Sequence, residues 1–218
     1  MKTLIFDIET GPLPEEEIRK QMPLFDPDSV KMGNLKDPSK RAEKLKEAKE
    51  NYYTEAYSRA ALNAWSGQVL AIGYCYTDDM DNVTVLEGEE DYIIEQFAKI
   101  LAPQYRVAGF NIKGFDLPFL ARRAMKHRCL RLDQFLPDGK YYGKGWLDLM
   151  EIWQCGNRME FISLNRLANF LGVDTKDWMV EGKDFYKFFE DPETHHMAIE
   201  YLETDVKVTA QIAEIILP

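Results

Sequence analysis

Two carboxylates, Asp7 and Glu9, stand two residues apart in an otherwise apolar opening, Leu4-Ile5-Phe6-Asp7-Ile8-Glu9. On a strand, alternate side chains share a face, so Ile5, Asp7 and Glu9 point one way and Leu4, Phe6 and Ile8 the other. That spacing is about 6.5 to 7 Å between Cα atoms, near enough for both carboxylates to share one hard cation. Acids at the same interval occur at Asp26/Asp28, Asp79/Asp81 and Glu89/Asp91, but in polar surroundings. Asp7 interrupts an apolar strand, and a buried carboxylate needs a partner or loses its charge. A solvated strand end is the other reading of this pair in isolation.

Near the end of the chain, Tyr201, Asp205, Val208 and Ile212 follow i, i+4, i+7, i+11, a single helical stripe that sets a phenol beside a carboxylate among core-facing residues. Tyr201 alone reads as a packing aromatic; with Asp205 one turn later it becomes a candidate for positioning a water. Asp116 precedes Leu117-Pro118 at a helix start, where Asp is a preferred N-cap and Pro is tolerated. A cap and a water-mediated metal contact are compatible roles for one carboxylate at the end of a strand.

Elements that position these residues follow from the apolar patterning. Residues 4–8 read as a buried strand closed by Gly11-Pro12-Leu13-Pro14. Residues 37–57 are strong helix formers with a thin apolar stripe, Ala42, Leu45 and Tyr52, which predicts an exposed helix. Residues 69–76 and 83–86 flank the turn-rich connector 77–82 and read as an antiparallel hairpin. Helices are expected at 89–101, 117–127, 164–171 and 195–216, with a short strand at 105–110. Hairpin strands followed by alternating strands and helices predict an α/β sandwich with a mixed sheet, one domain over 1–218 with a helical insertion at about 15–65.

With 218 residues, 45% of them apolar, the chain can bury a sizeable core, and no stretch approaches the roughly 18 apolar residues of a membrane span. A cytoplasmic protein without a membrane partner is expected. Cys75, Cys129 and Cys155 are odd in number and widely spaced, which argues against a disulfide framework or zinc knuckle. With only three histidines, His127, His195 and His196, any metal is expected to be oxygen-ligated. A net charge of −10 opposes nucleic-acid binding, which Lys and Arg normally drive. Against that, Arg122, Arg123, Lys126, Arg128 and Arg131 fall in a stretch with no acid.

Three motifs, Phe6-Asp7-Ile8-Glu9-Thr10-Gly11, then Gly109-Phe110-Asn111 to Phe115-Asp116-Leu117-Pro118-Phe119-Leu120, then Tyr201 to Asp205, resemble the exonuclease motifs of the DEDD superfamily in its tyrosine variant. The nearest likeness is to the proofreading domain of B-family DNA polymerases and its stand-alone bacterial and phage relatives. The resemblance implies a ribonuclease H-like fold, with a five-stranded mixed sheet whose first three strands are antiparallel. It further implies that Asp7, Glu9 and Asp205 hold one divalent ion, Mg2+ or Mn2+, while Asp7 with water-mediated help from Asp116 holds a second. Tyr201 would orient the attacking water, and Asp148, in Trp146-Leu147-Asp148-Leu149-Met150, would stand nearby.

The implied reaction is 3′-to-5′ hydrolysis of single-stranded DNA, with RNA as the alternative strand, releasing nucleoside 5′-monophosphates. Thr10, Gly11, Asn111 and Phe115 match substrate-side positions of the family. Arg122, Arg123 and Lys126 are candidates for backbone phosphates, or simply a solvated helix face. The segment Gly139-Lys140-Tyr141-Tyr142-Gly143-Lys144-Gly145-Trp146 mixes basic and aromatic residues suited to stacking unpaired bases, or is a flexible loop. A separate polymerase or a replication or repair partner would fit such an enzyme. His195-His196 reads as a solvated helix start. Two rivals are a module of the same fold that binds nucleic acid or a partner without catalysis, and a haloacid dehalogenase-type phosphatase. The latter's Asp-x-Asp-x-Thr/Val pattern is broken here by Glu9 and Gly11.

Overall fold

The apolar opening forms strand β1, Thr3–Pro12, in the computed structural model, which describes residues 2–101, 106–143, 145–175 and 182–217. Both faces of β1 are covered. Phe6 packs on Phe97 with ring centroids 4.9 Å apart, while Ile5, on the opposite face, joins a core cluster with Ala198, Leu202 and Val206. This two-sided burial explains why the strand is apolar at consecutive positions rather than alternating.

Two units divide the chain, Met1–Thr10 with Val69–Pro218, and Gly11–Gln68. The first contains the body of the five-stranded mixed sheet, ordered β3-β2-β1-β4-β5, with β2 Gly67–Tyr76, β3 Asp79–Glu87, β4 Arg106–Gly109 and β5 Trp146–Asp148. β2 and β3 are antiparallel, whereas β4 runs parallel to β1 and β5 parallel to β4. Helices of this unit are α3 Glu90–Ile100, α4 Asp116–His127, α5 Leu149–Gln154, α6 Leu164–Leu171, α7 Phe185–Glu190 and α8 His195–Ile216. Of these, α3 lies on the Phe6 face and α8 on the Ile5 face.

Close approach makes two glycines necessary. A Cβ at Gly73 on β2 would stand 2.9 Å from both Leu202 Cγ and Val206 Cγ2, so its absence lets α8 lie directly on the sheet. At Gly109, where β4 ends, a Cβ would meet Ile112 Cγ2 at 2.4 Å and the Phe6 carbonyl at 2.7 Å. The chain can therefore turn back beside β1 and start α4 there.

The second unit consists of α1 Glu15–Gln21, a 3-10 turn at Pro27–Ser29, α2 Pro38–Ser58 and a 3-10 turn at Ala60–Leu62. As expected, α2 has no buried residue, and the Asp37 carboxylate caps it, accepting from Ser39 N at 2.9 Å.

Several expectations need correction. β1 does not stop before Gly11 but runs through Pro12, whose carbonyl accepts from Gln68 Nε2 at 3.2 Å; a proline at a strand end has no ladder bond to forfeit. The hairpin connector is shorter than 77–82, since β3 resumes at Asp79 and absorbs the polar residues through a register shift between Tyr74 and Tyr76. The strand predicted from 105 begins, among the described residues, at Arg106; Tyr105 and Lys144 lie outside them. Helix α1 lies within the helical insertion expected at about 15–65, whereas α5, α7 and strand β5 were not located from the sequence.

Candidate metal centre

Each acid reaches the centre by a different route. Asp7 and Glu9 project from one face of β1, as alternation requires, and this is the face that packs on α8. Asp205 comes from α8, which Leu202 and Val206 seat on the sheet. Carboxylate oxygens of Asp7, Glu9 and Asp205 lie within 4.8 Å of one another, close enough to hold a single hard cation.

Asp116 enters from the start of α4. It does not cap that helix: Phe115 occupies the N-cap position and makes no side-chain capping bond. Instead Asp116 Oδ1 accepts from the Ile8 backbone N–H at 3.1 Å, and its carboxylate shares a hydrogen bond with Asp7. The capping reading is thus replaced by a contact across 108 residues of chain.

Burial and mutual repulsion dominate the electrostatics. Burial, then the charges of Asp116, Glu9 and Asp205, holds the Asp7 carboxyl well above its usual range, and burial followed by Asp205 and Asp116 does the same for Glu9. Burial raises Asp116 to about 7, the hydrogen bonds from Ile8 and Asp7 offsetting part of the effect. Asp205 rises to about 6 through burial, tempered by a hydrogen bond from Tyr201. Tyr201, one helical turn before Asp205, is pushed far above the normal phenol range by burial and by Asp205, so its hydroxyl stays protonated. Such a crowd of carboxylates in a shielded place fits a divalent cation, because positive charge relieves both causes of the raised values.

Around these acids the other predicted residues separate. Asn111 takes a positive φ of 60°, its N–H donating to Asp148 Oδ1 at 3.0 Å. Asp148 also accepts from Lys113 N at 2.9 Å and Met150 N at 3.0 Å, so it anchors the segment between β4 and α4; sequence alone had marked it merely as a nearby acid. Phe115 is half-buried against Phe119, with centroids 5.5 Å apart. Thr10 is buried; Gly11 belongs to the second unit.

Arg123 is a correction. It is 1% exposed, and its guanidinium grips Glu90 at 2.7 and 2.5 Å, so it is no surface phosphate ligand. Glu90 also accepts from Val69 N and pairs with His127, a buried knot whose only sequence trace was an acid and a base on helices of opposite charge. Arg122 and Lys126 are exposed, as expected. In the 139–146 segment, Tyr141 is 63% exposed, but Tyr142 is tied down by its hydroxyl to the Phe135 carbonyl at 3.0 Å and by Trp146. His195 is more than a solvated helix start, since its ring contacts the Phe189 carbonyl at 2.7 Å and Glu87 at 2.9 Å, while His196 is exposed.

Gly182 was not foreseen. A Cβ there would lie 3.5 Å from the Tyr201 hydroxyl, which places the Gly182 backbone beside the phenol. No helix among the described residues is long and apolar enough to cross a membrane.

Residues 60–217 match a family model described as RNase_H superfamily. Over 155 residues, 65% of this chain, the sequence is 29% identical to a DNA polymerase of Archaeoglobus fulgidus, covering 19% of that protein. The fold resembles the structure of the family B DNA polymerase from the hyperthermophilic archaeon Pyrobaculum calidifontis with a TM-score of 0.63 at 22% identity, over 100% of this chain and 25% of that one. The chain thus spans a fifth to a quarter of the length of these relatives.

Proposed function

Since the chain belongs to the RNase H superfamily, we propose that it is a metal-dependent 3′-to-5′ exonuclease acting on single-stranded DNA. One observation carries this reading: Asp7, Glu9 and Asp205, from a strand and a helix almost 200 residues apart, bring carboxylate oxygens within 4.8 Å of one another. Asp116 stands beside Asp7 and would complete a second position through water.

Two divalent ions, Mg2+ or Mn2+, would lend the attacking water its acidity and stabilise charge on the phosphoryl oxygens and the departing 3′ oxygen. Asp7, Glu9 and Asp205 would hold one ion, and Asp7 with Asp116 acting through water would hold the other. Tyr201 cannot serve as a base, because its phenol remains protonated; it hydrogen-bonds and orients. Water adds to the terminal phosphorus, the bond to the 3′ oxygen breaks, and a nucleoside 5′-monophosphate leaves with the strand one nucleotide shorter. Asn111 and Phe115, on the segment that Asp148 anchors, would receive the 3′ end. Arg122 and Lys126 are surface candidates for its phosphates.

Digestion of labelled single-stranded DNA, duplex DNA and RNA with Mg2+ or Mn2+ tests the reading. Asp7→Ala and Asp205→Asn abolish digestion, while Tyr201→Phe slows it by roughly 10² or less, at the low end for a proton-transfer role. Full activity in Asp205→Asn would remove α8 from the site. A non-catalytic binding module would instead hold DNA equally without metal and leave it intact. A haloacid dehalogenase-type phosphatase would cleave a small phosphomonoester, on which no hydrolysis is expected here.

A further inference from the structure

Between one face of α2 and the chain that follows α1, the second unit encloses a cleft of about 480 Å³, lined by Leu24, Phe25, Pro27, Leu45, Lys46, Lys49 and Tyr53. That volume falls within the roughly 300 to 1,000 Å³ of sites for small ligands. Leu45, Lys49 and Tyr53 recur every four residues along α2, with Lys46 beside them, so a single helical stripe supplies one wall.

The opposite wall is tethered. Tyr52 Oη donates to the Pro23 carbonyl at 3.0 Å, the Phe25 ring packs on Tyr52 at 5.7 Å, and Asp26 caps the turn that follows. Arg19 lies over the Tyr53 ring at 4.8 Å, its guanidinium paired with the Glu15 carboxylate, so the positive charge at the cleft is that of Lys46 and Lys49.

The lining offers two aromatic rings, aliphatic surface and two ammonium groups, and it contains no carboxylate. Its surroundings are as unusual for this chain. Residues 11–68 carry ten acids and ten bases, so the entire net charge of −10 belongs to the other unit. Within residues 31–49 seven bases stand against three acids. A ligand suited to this cleft is flat, partly apolar and anionic. Unpaired nucleotides of a polynucleotide strand have that chemistry, the base meeting the rings and leucines and the phosphates meeting the lysines.

We propose that this cleft is a second binding site for single-stranded nucleic acid, separate from the acidic centre. The assignment of the strand rests on the exonuclease reading, whereas the site itself rests on its own lining.

The test uses the full chain in EDTA, so that no cleavage occurs, with fluorescence anisotropy of a labelled 30-nucleotide single strand across a salt series. Lys46→Ala/Lys49→Ala, both exposed positions, makes the dependence of log affinity on log salt shallower by about 1.4, two single-strand phosphate contacts. Tyr53→Ala weakens binding roughly five- to 150-fold, the range for losing one stacked base. Both variants digest a trinucleotide in Mn2+ at the parental rate. Parental affinity and salt slope in the double-lysine variant would overturn the proposal while trinucleotide digestion left the exonuclease reading standing. Loss of trinucleotide digestion in the parent would strike the exonuclease reading instead. Strand binding unchanged in both variants, together with binding of a labelled acidic, leucine-bearing peptide that both variants lose, would assign the cleft to a protein partner and also overturn the proposal.

Discussion

Replacing Asp205 with asparagine should stabilise the metal-free protein while destroying its activity. Burial lifts the Asp205 carboxyl from 3.8 to about 6. Between those values the folded chain keeps a proton that the unfolded chain has released, so the stability this proton contributes is complete below about pH 4 and gone above about pH 6. At about 1.4 kcal/mol for each pK unit, ionised Asp205 costs the folded state about 3 kcal/mol at pH 7.5. Asparagine keeps the shape and can still accept the Tyr201 hydroxyl, but never acquires the charge.

Urea denaturation in EDTA is the assay. Asp205→Asn is expected to exceed the parent by about 3 kcal/mol at pH 7.5, with the gap closing as pH falls toward 4. Comparing the two proteins cancels contributions from groups away from the centre, such as Glu90, whose carboxyl is held below its usual range by Arg123, Val69 and His127 despite burial, and leaves Asp205 together with the repulsion it exerts on Asp7 and Glu9. Adding Mn2+ at pH 7.5 reverses the order. The parent gains about 4.1 kcal/mol at one thousand times its dissociation constant, enough to exceed the gap of about 3 kcal/mol, and the variant, lacking one of three converging carboxylates, gains far less. If the two proteins share one pH profile in EDTA, the repulsive, shielded character of the centre is wrong.

Arg123→Met leaves Glu90 buried without its main partner and should cost about 3–5 kcal/mol, read by denaturation, with digestion per folded molecule unchanged because Arg123 serves the core rather than the strand. Asp148→Ala unpairs three N–H groups, at Asn111, Lys113 and Met150; a loss of about 2–4 kcal/mol is expected, and hydrogen exchange should speed up at Asn111 and Lys113 before the rest of the sheet. Gly73→Ala pushes against Leu202 and Val206, costing about 1–3 kcal/mol, and by shifting α8 should weaken Mn2+ binding measured by calorimetry.

How much of this was legible in the sequence depends on the range of the interaction. The stripe on α8 and the alternation on β1 are local periodicities, and both put their acids where the pattern required. Element order predicted a mixed sheet, and the resemblance across three ordered motifs supplied its five strands, whose non-local pairing no pattern of single elements could specify. Short elements escaped because they carry little period of their own: β5 has three residues and α7 six. Arg123 was misjudged because its sequence neighbours are solvated bases, whereas its partner Glu90 lies 33 residues earlier on another helix. Asp116 illustrates the same point in reverse. Local preference favours a helix cap, and a long-range bond to Ile8 overrides it.

Net charge, the main compositional objection to a nucleic-acid enzyme, changes meaning once it is located. Five of the acids, Asp7, Glu9, Asp116, Asp148 and Asp205, gather in or around one centre, where two divalent cations would offset most of the negative charge felt by a phosphate. Losing Arg123 to the core removes one base from the surface set, yet Arg122, Lys126, Arg128 and Arg131 stay exposed, and the Gly11–Gln68 unit carries no net charge. On the proposed function, a polyanion would meet an acidic protein whose repulsion is concentrated where metal would offset it. On this account strand binding should depend on metal near the centre but not at the α2 cleft, a separation that whole-chain charge could not have predicted.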